Sequence, residues 1–176
     1  MNKSKKRAAM AALILCCLSV FLPSCSPSVT YRNDLSATEL MTRVEVAAPS
    51  EAGYRSVEED YLSPSTFGED LDLIRRHVTD WAVAVSDRSD SHPDQILIFR
   101  TEGDDSNSLR AVTDAVRRYG EALQVRLGDY YRMYAPEELS KLDNLSVKTC
   151  GRYVLLTVLD EAQTKAAQTA FEQALM

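Results

Sequence analysis

The chain has 176 residues, 45% of them apolar, with 20 Lys and Arg against 26 Asp and Glu for a formal net charge of −6. That length suits one domain with a sizeable core. The acidic balance argues against a nucleic-acid binder, whose affinity rests on cations that neutralise phosphates.

Lys3, Lys5, Lys6 and Arg7 open the chain, and Ala8 to Leu22 follow without a charge. That apolar run spans about 22 Å as a helix, short of the ~30 Å hydrocarbon core of a bilayer. A basic start, a short apolar run and a small residue at its end predict a secretory leader over residues 1–24. The stretch Leu22-Pro23-Ser24-Cys25 resembles a bacterial lipobox, although Pro23 departs from the usual pattern. The resemblance implies a diacylglyceryl group on Cys25, cleavage before it, and lipid anchoring on the outer, extracytoplasmic face of the cell membrane. Two acyl chains anchor stably where one holds only marginally. Plain secretion with cleavage near Ser24 or Ser26, and an uncleaved single-span anchor, are the alternatives. Residues 25–35 then read as a tether and 36–176 as a single domain.

Removal of the four basic leader residues leaves 16 Lys and Arg against 26 acidic side chains, about −10. Such a domain is soluble and repelled by an anionic leaflet. Cys16 and Cys17 leave with the leader and Cys25 is consumed by lipid, so Cys150 stands alone. The exported domain is held by its core, with no internal disulfide.

Ser36-Ala37-Thr38-Glu39 has capping-box spacing and predicts a helix over 36–47, ended before Pro49. Residues 49–65 are polar and acidic and read mostly as loop. Phe67, Leu71, Ile74 and Val78 recur at helical spacing and predict a second helix. Trp81, Val83 and Val85 alternate as in a strand, and Ile96 to Phe99 form a compact apolar run of the same type. The Ser- and Asp-rich stretch Ser86 to Asp94 between them predicts an exposed hairpin loop. Leu109, Val112, Val116, Tyr119, Leu123, Leu127, Tyr130 and Tyr134 then step by three or four, marking one long helix. Gly120 and Gly128 weaken it by up to ~1 kcal/mol each relative to Ala, so close packing is expected at both. Pro136 ends it or opens a brief turn of helix through Leu142. Leu145 to Thr149 and Tyr153 to Leu159 read as two more strands, joined by a tight turn at Cys150-Gly151-Arg152. An Ala-rich closing helix follows from Ala162 to Leu175, with Ala166, Ala167, Ala170, Phe171 and Leu175 on one side.

The order predicts an α+β domain. Two antiparallel β-hairpins form one sheet, packed against the long helix and shorter N- and C-terminal helices. The doubled strand-strand-helix order suggests a structural pseudo-repeat without sequence repetition. From Asp94 to Leu175 the chain also resembles the bacterial domain-of-unknown-function 4358 family, whose members are lipoproteins. The residues that carry the resemblance are Asp94-Gln95-Ile96-Leu97-Ile98-Phe99, Tyr134-Ala135-Pro136-Glu137-Glu138, Leu142, Leu145, Val147 and Gly151-Arg152-Tyr153-Val154. The resemblance implies an address and a fold, and no catalytic residues.

No catalytic constellation is evident in the residues themselves. His77 and His92 lack ligand-spaced partners, and no Cys-x-x-Cys, His-Glu-x-x-His or EF-hand pattern occurs. The acidic loops around Asp87, Asp90 and Asp94 and around Glu58 to Asp72 read as solvated faces rather than metal sites. Cys150 has no base beside it in sequence and reads as a buried thiol. No metal and no cofactor are expected. Tyr130, Tyr131, Tyr134 and Tyr153 gather in sequence around the end of the long helix and the last hairpin. Tyrosine joins apolar area to a polar tip, which suits a binding surface as well as the rim of a core. The resulting expectation is a non-enzymatic envelope lipoprotein that binds a ligand or an envelope protein. An envelope hydrolase with scattered site residues and an accessory subunit of a membrane assembly are the alternatives.

Overall fold

A computed structural model describes residues 30–57, 61–103 and 106–176. The leader expected over residues 1–24, and Cys25, lie outside the described residues. Ser36 Oγ accepts the Glu39 N–H at 3.1 Å while the Glu39 carboxylate accepts the Ser36 N–H at 2.8 Å. This reciprocal cap opens α1 (Ala37–Ala47) where the sequence places it. The loop expected over 49–65 contains a short edge strand, β1 (Tyr54–Ser56), whose three residues are too few to show an alternation. The helix expected from Phe67 is broken into α2 (Pro64–Phe67), a 3-10 turn (Gly68–Asp70) and α3 (Leu71–His77), and Val78 already belongs to β2 (Val78–Ser86). Phe67, Leu71 and Ile74 all remain buried, which is why their spacing reads as one helix.

β3 (Gln95–Thr101), the long helix α4 (Ser106–Tyr134) and a 3-10 turn (Pro136–Glu138) running into α5 (Leu139–Asp143) come next. β4 (Ser146–Cys150), β5 (Tyr153–Val158) and α6 (Glu161–Leu175) complete the order. The strands form one antiparallel sheet in the order β1-β2-β3-β5-β4. Gly151, at φ +56°, turns the β4–β5 hairpin, and a Cβ there would lie 2.9 Å from Tyr31 Cβ. A side chain is excluded on both counts.

Both faces of the sheet are covered. Val83, Val85, Leu97, Phe99, Val154, Leu156 and Val158 point into a core with α3, α4 and α5. Ala84, Ile96, Ile98, Tyr153 and Leu155 point the other way, into a second core with α1 and α6. Strict alternation places successive residues of β3 in different cores, so the strand reads as continuous apolar sequence. The two strand-strand-helix units place α4 and α6 on opposite faces. A two-fold axis that exchanged the antiparallel neighbours β3 and β5 would stand normal to the sheet and keep both helices on one face. The repetition is therefore one of order only.

α4 presses closely on the sheet at Gly120, where a Cβ would meet Leu145 Cδ2 at 2.7 Å. Gly128 has nothing within 4 Å, so the close packing expected there is absent. Near its end the helix changes its buried side. Tyr131 and Ala135 are buried, whereas Tyr130 and Tyr134, in the predicted stripe, are exposed. A step of four from Leu127 keeps the inward face at this point, and a step of three leaves it.

The N-terminal approach is docked sooner than a free tether over 25–35 would be. The Arg32 N–H donates to the Leu175 carbonyl at 2.7 Å, and Leu35 is buried. No helix among the described residues is long and apolar enough to cross a membrane.

Candidate functional site

The C-terminal end of α4 carries three tyrosines within five residues, and the fold gives each a different position. Tyr131 points inward, and its hydroxyl donates to the Ser89 carbonyl at 3.0 Å. Tyr130 donates to the neighbouring Asp90 carbonyl at 2.8 Å while its ring remains 41% exposed. Its ring meets Tyr131 edge-on at 5.4 Å and lies 5.0 Å from Tyr134. Tyr134 is 69% exposed and Met133, between them, 72%. The helix end thus presents Tyr130, Met133 and Tyr134 together, pinned from below to the β2–β3 loop. Met133 was not singled out in the sequence. Its position on the outward side of a tyrosine-rich last turn is the signal that could have found it.

Tyr153 does not join them. It is fully buried on the other face of the sheet, its hydroxyl donating to the Leu35 carbonyl at 2.7 Å. The last hairpin also turns at the far end of the sheet, where the Thr101 N–H binds the Arg152 carbonyl. The gathering read from sequence reduces to Tyr130, Tyr131 and Tyr134.

Beneath the tyrosines lies a closed ionic cluster. Lys141 Nζ stands 2.7 Å from both Asp94 Oδ1 and Glu138 Oε2, and His92 Nδ1 is 3.4 Å from that same Glu138 oxygen. Ser50 donates to Asp94 Oδ2 at 2.5 Å. The Asp94 side chain is wholly inaccessible, whereas those of Lys141, Glu138 and His92 keep 13%, 14% and 16% of their exposure. Asp94 and His92 therefore do not sit on the solvated loop expected from composition; they tie the β2–β3 loop to the front of α5. Burial pulls the Lys141 ammonium down, but contact with Asp94 and Glu138 outweighs it and its pKa rises above the ordinary lysine value. A lysine held charged between two carboxylates suits a clamp, and is poorly placed to act as a base or nucleophile.

Other polar groups face inward and pair. Tyr61 and Tyr119 share a short hydroxyl–hydroxyl contact, and Tyr119 also donates to Gln95 Oε1 at 2.9 Å. His77 Nδ1 lies 3.1 Å from Ser108 Oγ. Cys150 is a buried thiol in the second core, its pKa pushed up by burial. Among the described residues no group of three or more His, Cys, Asp or Glu side chains is arranged to hold a metal ion.

The buried tyrosines give the fold a pH limit. Burial raises the pKa of Tyr54, Tyr119, Tyr131 and Tyr153, with nearby carboxylates adding to the effect at Tyr54 and Tyr131. A group raised in the folded state stabilises it below the unfolded pKa, about 10 for tyrosine, and loses that contribution as pH rises further. The urea midpoint is expected to fall steeply above about pH 10, with tyrosinate absorbance appearing in the same transition as unfolding. Tyrosinate absorbance that developed fully in the native protein would contradict this.

The site is an aromatic surface on a helix end bonded to the β2–β3 loop, carried by a three-layer α+β domain whose sheet is covered on both faces. The chain belongs to the family described as a domain of unknown function, DUF4358, which matches residues 61–159. The match starts well before Asp94, where the resemblance read from the sequence begins, and stops ahead of α6. No curated protein and no solved structure matches the chain.

Proposed function

We propose that this protein is a cell-envelope lipoprotein, anchored through acyl chains on Cys25, whose domain binds an envelope protein through Tyr130, Met133 and Tyr134. The observation that carries the binding reading is the joint exposure of these three large side chains on one pinned helix end. Aromatic and methionine side chains are enriched at protein interfaces, and ordering them in advance lowers the entropy cost of association.

The geometry of the fold also orients this surface. The described chain enters beside the β4–β5 turn, with Tyr31 against Gly151 and Arg32 on Leu175. α4 starts at that end of the sheet and runs 29 residues, about 44 Å, to the opposite end. Five residues separate Cys25 from Tyr31, a reach of about 20 Å at most. A lipid on Cys25 then holds the β4–β5 turn near the bilayer and directs the tyrosine surface away from it, toward a partner in the envelope space. This supports an accessory-subunit role more than a hydrolase, because the facing charged side chains of Asp94, Glu138 and Lys141 are closed on one another.

Two measurements separate the anchor from the surface. Fatty-acid labelling is expected in the wild type and absent in Cys25→Ala; equal labelling would defeat the anchor. Crosslinking in intact cells, followed by purification, is expected to give a discrete partner adduct that falls at least about tenfold in Met133→Ser/Tyr134→Ser with unchanged thermal stability. An adduct that persists at wild-type yield would remove the surface from the proposal.

A further inference from the structure

Among the described residues, Arg100 and Arg152 are the two arginines that the fold draws partly out of solvent. Neither forms an ion pair there, although carboxylates outnumber Lys and Arg in the chain. The exposed Arg32, Arg117, Arg118 and Arg132, by contrast, each hold an aspartate. The Nε atoms of Arg100 and Arg152 are buried and find no acceptor. Arg100 Nη1 reaches the Leu35 carbonyl at 3.4 Å, and the Arg152 side chain has no hydrogen bond among the described residues. A cation drawn out of water normally meets a counter-charge, because its desolvation is otherwise uncompensated.

The fold sets the two side by side. Arg100 on β3 stands opposite Tyr153, the residue after Arg152. The Thr101 N–H and hydroxyl both donate to the Arg152 carbonyl, at 2.9 and 3.0 Å. The Tyr153 hydroxyl senses both charges: burial raises its pKa, and Arg100 and then Arg152 oppose the rise. Two carboxylates approach this place and are committed elsewhere. Asp80, opposite Arg100 on β2, accepts the Ala37 N–H at 2.7 Å. Asp34 is held by Arg32 at 3.0 and 2.9 Å. Arg152 lies in the β4–β5 turn, at the end of the sheet where the described chain enters.

We infer that Arg100 and Arg152 form a phosphate site, which takes the headgroup of an anionic phospholipid in the leaflet that carries the anchor. Guanidinium groups meet phosphate through paired N–H donors and shed water more readily than an ammonium does. The acidic excess of the whole domain opposes an anionic leaflet, but salt screens charges farther than about 8 Å away, so the contact is decided locally. The choice of a bilayer phosphate over a free one rests on the anchor reading. The arginine pair itself does not.

The test uses the unlipidated chain from Ser26 onward, which keeps every described residue and both cores. Flotation with vesicles of phosphatidylglycerol and phosphatidylcholine is expected to show saturable association. Arg100→Gln/Arg152→Gln is expected to weaken it at least about tenfold, and Arg88→Gln/Arg126→Gln, which removes the same charge at exposed positions, by less than about twofold. Arg100→Lys/Arg152→Lys keeps the charge without the fork and is expected to lose at least about threefold. Lysine binding as well as arginine would reduce the contact to diffuse charge and overturn the site. So would equal losses in the two Gln variants. Inorganic phosphate is expected to raise the thermal midpoint of the wild type above that in chloride of equal ionic strength, and no protection would equally overturn the site. Protection by phosphate without vesicle binding would assign the pair to a soluble phosphate and overturn the lipid reading. Because Cys25 is absent from this chain, these outcomes are independent of the fatty-acid labelling that tests the anchor.

Discussion

Lys141→Met is expected to destabilise the domain by about 3 kcal/mol, read as a lowered urea midpoint at pH 7. Lys141 neutralises Asp94 and Glu138 at 2.7 Å each, and the Asp94 carboxylate has no access to water. Methionine keeps most of the side-chain volume but leaves two carboxylates facing each other, that of Asp94 without access to water. Breaking a buried pair from one side costs far more than the net worth of the pair, because the remaining charge is stranded. Asp94→Asn in the Lys141→Met background removes that stranded charge and is expected to recover a substantial part of the loss. Additive effects of the two substitutions would show that they do not share a cluster. The loop that receives the Tyr130 and Tyr131 hydroxyls begins to fray in the single variant, so the tyrosine surface loses order with it.

Phe171→Ala is expected to cost about 3–5 kcal/mol, the range for truncating a fully buried aromatic. Phe171 has no exposed surface and sits on α6 in the core that also holds Leu40, Ile96, Ile98 and Leu155. The loss opens a cavity between two helices and a sheet, all of which are fixed elsewhere and collapse only partly. Thermal unfolding of Phe171→Ala beside the surface control Val46→Ala is the measurement; Val46 is 80% exposed and its truncation is expected to change stability by less than about 0.5 kcal/mol. Comparable midpoints for the two would mean that α6 is not seated as described. The result bears on the family as well. The matched stretch ends at Leu159, yet one whole face of its sheet is covered by α1 and α6, which lie outside it.

The elements most legible in the sequence are those with a long or sharply capped pattern. The Ser36–Glu39 box places the start of α1 because capping is local chemistry over four residues. α4 is legible because its stripe repeats over many turns, and the β4–β5 turn because a two-residue hairpin loop demands positive φ. The elements least legible are short and made by their neighbours. β1 is a strand only because β2 pairs with it, and α2 and α3 share enough of one apolar side to read as a single helix. The candidate site divides in the same way. Three tyrosines at the end of α4 are visible as a local cluster, but which of them faces outward depends on a change of one position in the helical step.

Composition and pattern alone determine that this is an acidic α+β chain whose basic start runs into an uncharged apolar stretch, because charge count and periodicity are properties of the linear chain. They determine the number of long helices and the two hairpins for the same reason. Only the tertiary structure decides that α4 and α6 cover opposite faces and that Tyr153 parts company with the other tyrosines. It also decides that Asp94 meets Lys141 across 47 residues of chain. Those outcomes depend on sidedness and long-range pairing, and the free energy that selects them comes from groups that are distant in sequence and adjacent only once both cores have closed.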